Sequence, residues 1–225
     1  MILRMILTLV IFSIFGCSSN GRFVVQDYYT GLKFYDKTMA VVPVFESPSV
    51  ANGEDVTDDF GEGVPEEVYM AVFKEHFPGY LEETSTVGSA FFYDGEISVP
   101  LNEQLLEVSS MEQLRAQLPE EGKTLTFDST SADFVLFIFE LNTARTGTSS
   151  GKYSLQTGEY EGGRFGNLQQ AARFAVWDNV KGRLIMYGRA HKYVTVPLNL
   201  SEAIWWEGMR GLADDMFSMG PFFKL

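Results

Sequence analysis

The sequence predicts an α+β fold: a mixed or mostly antiparallel sheet with helices layered on it, in a single domain. Three observations carry the prediction. The run Phe134–Phe139 is continuously apolar, β-branched and aromatic, as a strand buried on both faces must be. Gln170–Trp177 and Arg183–Val196 alternate apolar with polar residues and are joined by Asp178-Asn179-Val180-Lys181-Gly182, a turn-forming stretch, so they read as a second hairpin. Residues 65–76 and 201–216 place apolar side chains at helical spacing.

The elements follow in chain order. A basic head containing Arg4, an apolar run from Met5 to Phe15 and a small residue, Gly16, precede the only cysteine, Cys17. A dozen apolar residues fall short of the roughly 20 that a permanent bilayer span needs, so residues 1–16 read as a cleaved signal peptide. Residues 17–30 read as a tether ahead of the fold, and 31–225 as the globular domain. Lys37–Phe45 is a first strand, with Pro43 implying an edge or a strand end, and the acidic, turn-rich segment 46–63 is loop. A helix opens at Pro65, carries Val68, Val72, Phe73 and Phe77 on one face, and is stopped by Pro78-Gly79. Ala90–Tyr93 and Ile97–Val99 flank Asp94-Gly95 as a small hairpin.

Leu101–Val108 and Met111–Leu118 are expected to be helical, the second opened by Ser110 with Gln113 three residues on as a capping box. Ala132–Leu141 is the central strand. Thr143–Asn167, rich in glycine and serine, reads as a long irregular excursion. Ser201 caps a last helix in which Trp205, Met209, Leu212 and Met216 share one stripe.

Composition narrows the function. With 45% hydrophobic and 14% aromatic residues the chain can bury a full core, and with one cysteine it can form no internal disulfide. A net charge of −13 repels phosphate backbones and anionic lipid alike, so nucleic acid is not an expected partner and membrane residence must come from a covalent anchor.

His76 and His191 are far apart and lack neighbours at metal-ligand spacing, so no metal site is expected. His191 shares a strand face with Tyr187, Arg189 and Tyr193, a pattern that a partly solvated sheet face explains. Gly147-Thr-Ser-Ser-Gly151-Lys152-Tyr153 misses the phosphate-loop spacing, and Gly61-Glu62-Gly63 misses the dinucleotide fingerprint. No Gly-x-Ser-x-Gly elbow exists. The acidic pairs Asp58-Asp59, Glu66-Glu67, Glu82-Glu83 and Asp214-Asp215 point apart as adjacent residues and read as solvated faces. Neither a catalytic constellation nor a cofactor site is therefore expected.

Trp205-Trp206 is the unusual aromatic pair, and successive helical positions differ by about 100°. Trp205 falls on the buried stripe, which leaves Trp206 at its margin as the candidate for partner contact.

The residues Ile14-Phe15-Gly16-Cys17 resemble the bacterial lipobox. That resemblance implies acylation of Cys17 as the mature amino terminus, a lipid anchor and, with Ser18 rather than Asp following, an outer-membrane position facing the periplasm. Val42-Pro43-Val44-Phe45, Ala132–Leu136, and Trp177-Asp178 ahead of Lys181-Gly182 look like features of a broad group of bacterial envelope lipoproteins whose domain is similar to the amino-terminal domain of the Tol-Pal translocation protein. The likeness implies an accessory role in envelope assembly or export, exercised by binding a protein partner. The alternative from another class is a lipoprotein that holds a lipid or small apolar ligand between sheet and helices, as the aromatic content suggests.

Overall fold

The frame is a seven-stranded mixed sheet whose two faces are covered by different material. A computed structural model describes residues 23–51, 53–128, 130–149, 152–153, 160–161, 164–196 and 200–224. Its strands are β1 (Phe23–Val25), β2 (Lys37–Pro43), β3 (Ser49–Ala51), β4 (Val87–Phe92), β5 (Leu101–Ser109), β6 (Glu112–Pro119), β7 (Phe134–Ser149), β8 (Lys152–Tyr153), β9 (Tyr160–Glu161), β10 (Arg164–Asp178) and β11 (Arg183–Val196). Its helices are α1 (Gly53–Phe60), α2 (Pro65–Thr84) and α3 (Glu202–Met216). The sheet runs β1-β11-β10-β7-β2-β4, with β3 pairing the far part of β7. β1, β11, β10 and β7 are antiparallel neighbours, whereas β2 pairs parallel with both β7 and β4.

Strand alternation assigns the layers. Phe134, Leu136 and Ile138 of β7 join Met39 and Val41 of β2 under α2 and α3, against Tyr69, Phe73, Phe77, Trp205, Met209 and Leu212. Val135 and Phe137 join Ala40 and Val42 on the opposite face, against Val108, Leu114, Ala116 and Leu118 of the β5–β6 hairpin. Phe134–Ile138 is therefore buried from both sides, as a doubly covered strand requires.

Several sequence expectations need correction. Residues 101–118 form a hairpin, not two helices. Leu114, Ala116 and Leu118 are buried at every second position, and that period outweighs the Ser110/Gln113 cap pattern once the hairpin covers a sheet face. Asp94-Gly95 turns no hairpin. β4 instead pairs alongside β2 in parallel, and just beyond it Tyr93 N–H donates to the Val41 carbonyl at 2.9 Å. Segment 46–63 is not all loop but contains β3 and α1.

Pro43 ends β2, a strand that is interior rather than an edge. Pro78 does not stop α2, which continues to Thr84. A proline inside a helix costs about 3 kcal/mol, and the complete burial of Phe77 and Leu81 on either side, about 1.5–3 kcal/mol each, offsets that cost. The excursion expected at 143–167 is instead, in its described part, an extension of β7 and β10 paired from Arg164↔Ser149 onward, with β8 and β9 pairing each other.

Ser201 occupies the N-cap position of α3 and accepts from Ile204 and Trp205 through its carbonyl, with no capping bond from its side chain. Gly208 lets this helix lie close to the sheet. A Cβ there would stand 2.9 Å from the amide carbon of Gln170, which is completely buried beneath it.

Candidate functional site

Cys17 and residues 1–16 lie outside the described residues. Of the span expected as a tether over 17–30, residues 23–30 belong to the fold, since β1 pairs with β11 from Phe23 and Tyr29 is buried. Trp205 is buried as expected, its indole N–H donating to Asp59 at 2.7 Å. Trp206 has a setting that the sequence did not reveal. It is half-buried, with the Phe60 ring of α1 at 5.2 Å and the His76 ring of α2 at 4.4 Å, so two neighbouring helices occupy much of the face expected to meet a partner.

The stripe on β11 is divided among structural contacts: Tyr187 is buried and donates to the Glu107 carbonyl, Arg189 pairs with Glu112 at 2.7 Å, and the His191 backbone N–H donates to Asp215 at 2.7 Å. Among the acidic pairs, Asp59 and Asp215 thus each hold an element in place.

The built surface lies elsewhere, at the end of the sheet where β10 turns into β11. Asp178 is only 3% exposed and organises the turn by accepting from the Tyr29 hydroxyl at 2.8 Å, the Val180 N–H at 3.1 Å and the Lys181 N–H at 2.9 Å. Gly182 closes the turn at φ +64, in the left-handed region, where a Cβ would meet the Gly122 backbone at 2.6 Å. Asn179 accepts from the Leu125 N–H and donates to the Leu125 and Ala132 carbonyls, while the Trp177 indole donates to the Lys123 carbonyl. A buried carboxylate and a buried amide with this many partners make a rigid platform.

Side chains project from this platform in a defined arrangement. Lys181 Nζ lies 5.0 Å from the Tyr28 ring centroid and 5.4 Å from that of Tyr29, and the Arg183 guanidinium is 5.8 Å from Tyr28, all within cation–π range. Tyr28 and Tyr29 meet edge to face at 5.1 Å. Burial, and after it the Asp178 carboxylate, push the Tyr29 hydroxyl well above the ordinary phenol range, so it remains a donor across physiological pH. Beside them opens a cleft of about 350 Å³ whose walls include Gln26, Gln104, Glu121 and Arg183.

Tyr28 is 59% exposed and Val180 70%. Leu32, Tyr35 and Met219, also exposed, belong to segments tied to the same end: Leu32 N–H donates to the Tyr29 carbonyl, Phe34 N–H to that of Pro221, and Lys33 Nζ to that of Gly220. Five of the nine large exposed apolar side chains among the described residues therefore cluster here. The arrangement offers rigid aromatic area flanked by cations, a chemistry of binding. Sequence reasoning did not nominate these residues. The available signals were the Tyr28-Tyr29 doublet and the exposed Val180 in an otherwise polar turn, and neither means much until the fold brings them together. Among the described residues no group of three metal-ligating side chains forms.

No family model matches the chain, and no curated protein matches it. Among solved structures it is similar to a PelC dodecamer subunit from Paraburkholderia phytofirmans, at 9% identity and a TM-score of 0.36, over 86% of this chain and 96% of that one. It is also similar to a protein described as a neuraminyllactose-binding hemagglutinin homolog from Helicobacter pylori, at 9% identity and a TM-score of 0.30, over 84% and 83% of the two chains.

Proposed function

We propose that this protein is an accessory lipoprotein of the bacterial cell envelope, anchored in the outer membrane by acyl chains on Cys17. Its folded body faces the periplasm and acts in envelope assembly or export by binding a protein partner through the Tyr28–Val180 end. The observation that carries the partner reading is the concentration of exposed Tyr28, Leu32, Tyr35, Val180 and Met219 around a turn that Asp178 and Asn179 hold rigid. Exposed apolar area gathered at one place, with aromatic rings that lose little entropy on binding, is what interfaces use.

The leader Ile14-Phe15-Gly16-Cys17 supports the anchor through its likeness to a lipobox. Five residues separate Cys17 from Phe23. Even fully extended they reach only about 20 Å, so an anchored body would stay near the membrane and its partner would be a protein resident there.

A photo-crosslinking residue placed at position 28, at 180 and, as a control, at Met111 tests the reading in intact cells. Met111 is 96% exposed at the tip of the β5–β6 hairpin. The proposal expects one discrete adduct from positions 28 and 180 and none from 111. Absence of adducts at 28 and 180, or the same adduct from 111, would contradict it.

A further inference from the structure

We propose that the crevice where β2 and β4 end binds a small apolar amine. β2 and β4 are adjacent and parallel. The chain leaving β2 passes to α1 and α2 on one face of the sheet, whereas the chain leaving β4 passes to the β5–β6 hairpin on the other. Neighbouring parallel strands whose carboxyl ends feed opposite faces leave a crevice between them, the position at which open sheets containing parallel strands take ligands. Here it is a cleft of about 330 Å³, at the small end of the range for ligand sites.

The chemistry of the lining selects the ligand. Phe45, Met70, Phe92 and Ile97 are partly exposed along the cleft and give it an apolar floor. The charged groups at its rim are Glu46, Lys74 and Asp94. Lys74 is already engaged: its ammonium pairs with Asp94 and lies 5.9 Å from the Phe92 centroid. The hydrogen bond from Lys74 holds the Asp94 carboxyl below its ordinary range. Glu46 is exposed and has no ion-pair partner among the described residues. The cleft thus holds two carboxylates but one ammonium, which Asp94 takes and Glu46 does not, in a chain whose net charge is −13.

An anionic ligand would meet both carboxylates and gain only an ammonium that is already neutralised. A short apolar amine suits every group present. Its body covers the Phe45, Met70 and Phe92 floor, and its charge sits against Glu46 beside aromatic faces, as the Lys74 ammonium already does on Phe92.

Calorimetric titration of the full-length chain with phenethylamine, against phenylpropionate and phenethyl alcohol of matched shape, tests this. The amine should bind saturably at one site, the alcohol at least about ten-fold more weakly, and the carboxylate not at all. Glu46→Gln, an exposed and conservative change, should weaken the amine by about ten-fold or more, the worth of one hydrogen bond to a charged group. Met70→Trp, which fills the floor, should abolish binding while circular dichroism shows the fold retained. No saturable binding of the amine, binding of the carboxylate at equal strength, or amine binding unchanged in both variants would each overturn the proposal.

Discussion

Phe137→Ala is expected to destabilise the fold by about 3–5 kcal/mol in equilibrium denaturation, the range for truncating a fully buried aromatic residue. Phe137 is completely buried in the layer between the sheet and the β5–β6 hairpin, with Val42, Leu114, Ala116 and Leu118 in the same cluster. β7 crosses the middle of the sheet and cannot shift to close the cavity without disturbing β10 and β2 on either side. Leu105→Ala is the matched control. Leu105 is exposed on the outer face of the hairpin, so that change should stay within about 0.5 kcal/mol. A small effect at Phe137 would mean that the hairpin layer is not a packed core.

Trp205→Ala should cost as much, about 3–5 kcal/mol, because it removes two kinds of contact together. The ring packs at 5.8 Å from Phe60 and 5.9 Å from Tyr69, and its N–H bond to Asp59 ties α3 to α1. Trp206→Ala should cost roughly 1–2 kcal/mol, since a half-buried side chain gains only part of the roughly 1.5–3 kcal/mol of full burial. Trp205→Phe restores the packing and not the donor, so it should recover most of the loss. Equal destabilisation by the two alanine variants would show that α3 is enclosed as tightly at Trp206 as at Trp205.

How much of this could be read from sequence depended on whether one physical signal dominated a segment. The Phe134–Leu141 part of β7, the Gln170–Trp177 part of β10, β11 and α3 were legible because their apolar runs or stripes are long and a single pattern fits each. β5 and β6 were not, because Leu101, Leu105 and Val108, and again Met111, Leu114 and Leu118, fall at helical spacing while Leu106 and Val108, and Leu114, Ala116 and Leu118, alternate, and only the sheet face that the second set covers selects between the two. α1 is GEDVTDDF, eight residues with Val56 the one buried among them and four acidic side chains, too short and too polar to stand apart from the turn-rich sequence around it. Tertiary contacts fix it instead: the Arg145–Asp55 ion pair at 2.9 Å and the Trp205–Asp59 bond. The glycines between 143 and 167 suggested irregular chain, yet β7 and β10 extend through part of that stretch because each supplies the other's backbone partners.

The candidate surface was less legible than the fold, for a related reason. Trp177-Asp178 and Lys181-Gly182 marked a turn correctly, but what the turn presents depends on Tyr28 and Tyr29, which lie about 150 positions earlier and reach it only through the β1–β11 pairing. No local pattern encodes that meeting. In the same way, the covering of Trp206 by Phe60 could not be foreseen once α1 had been read as loop.

The claim on which the functional reading rests is that Cys17 carries the anchor, and metabolic palmitate labelling with membrane fractionation of the wild type and Cys17→Ser tests it most directly. The account predicts that the wild type is labelled and sediments with the outer membrane, whereas Cys17→Ser is unlabelled and its folded body is released from the membrane. A Cys17→Ser protein that still takes up label, or that stays in the membrane fraction, would contradict it.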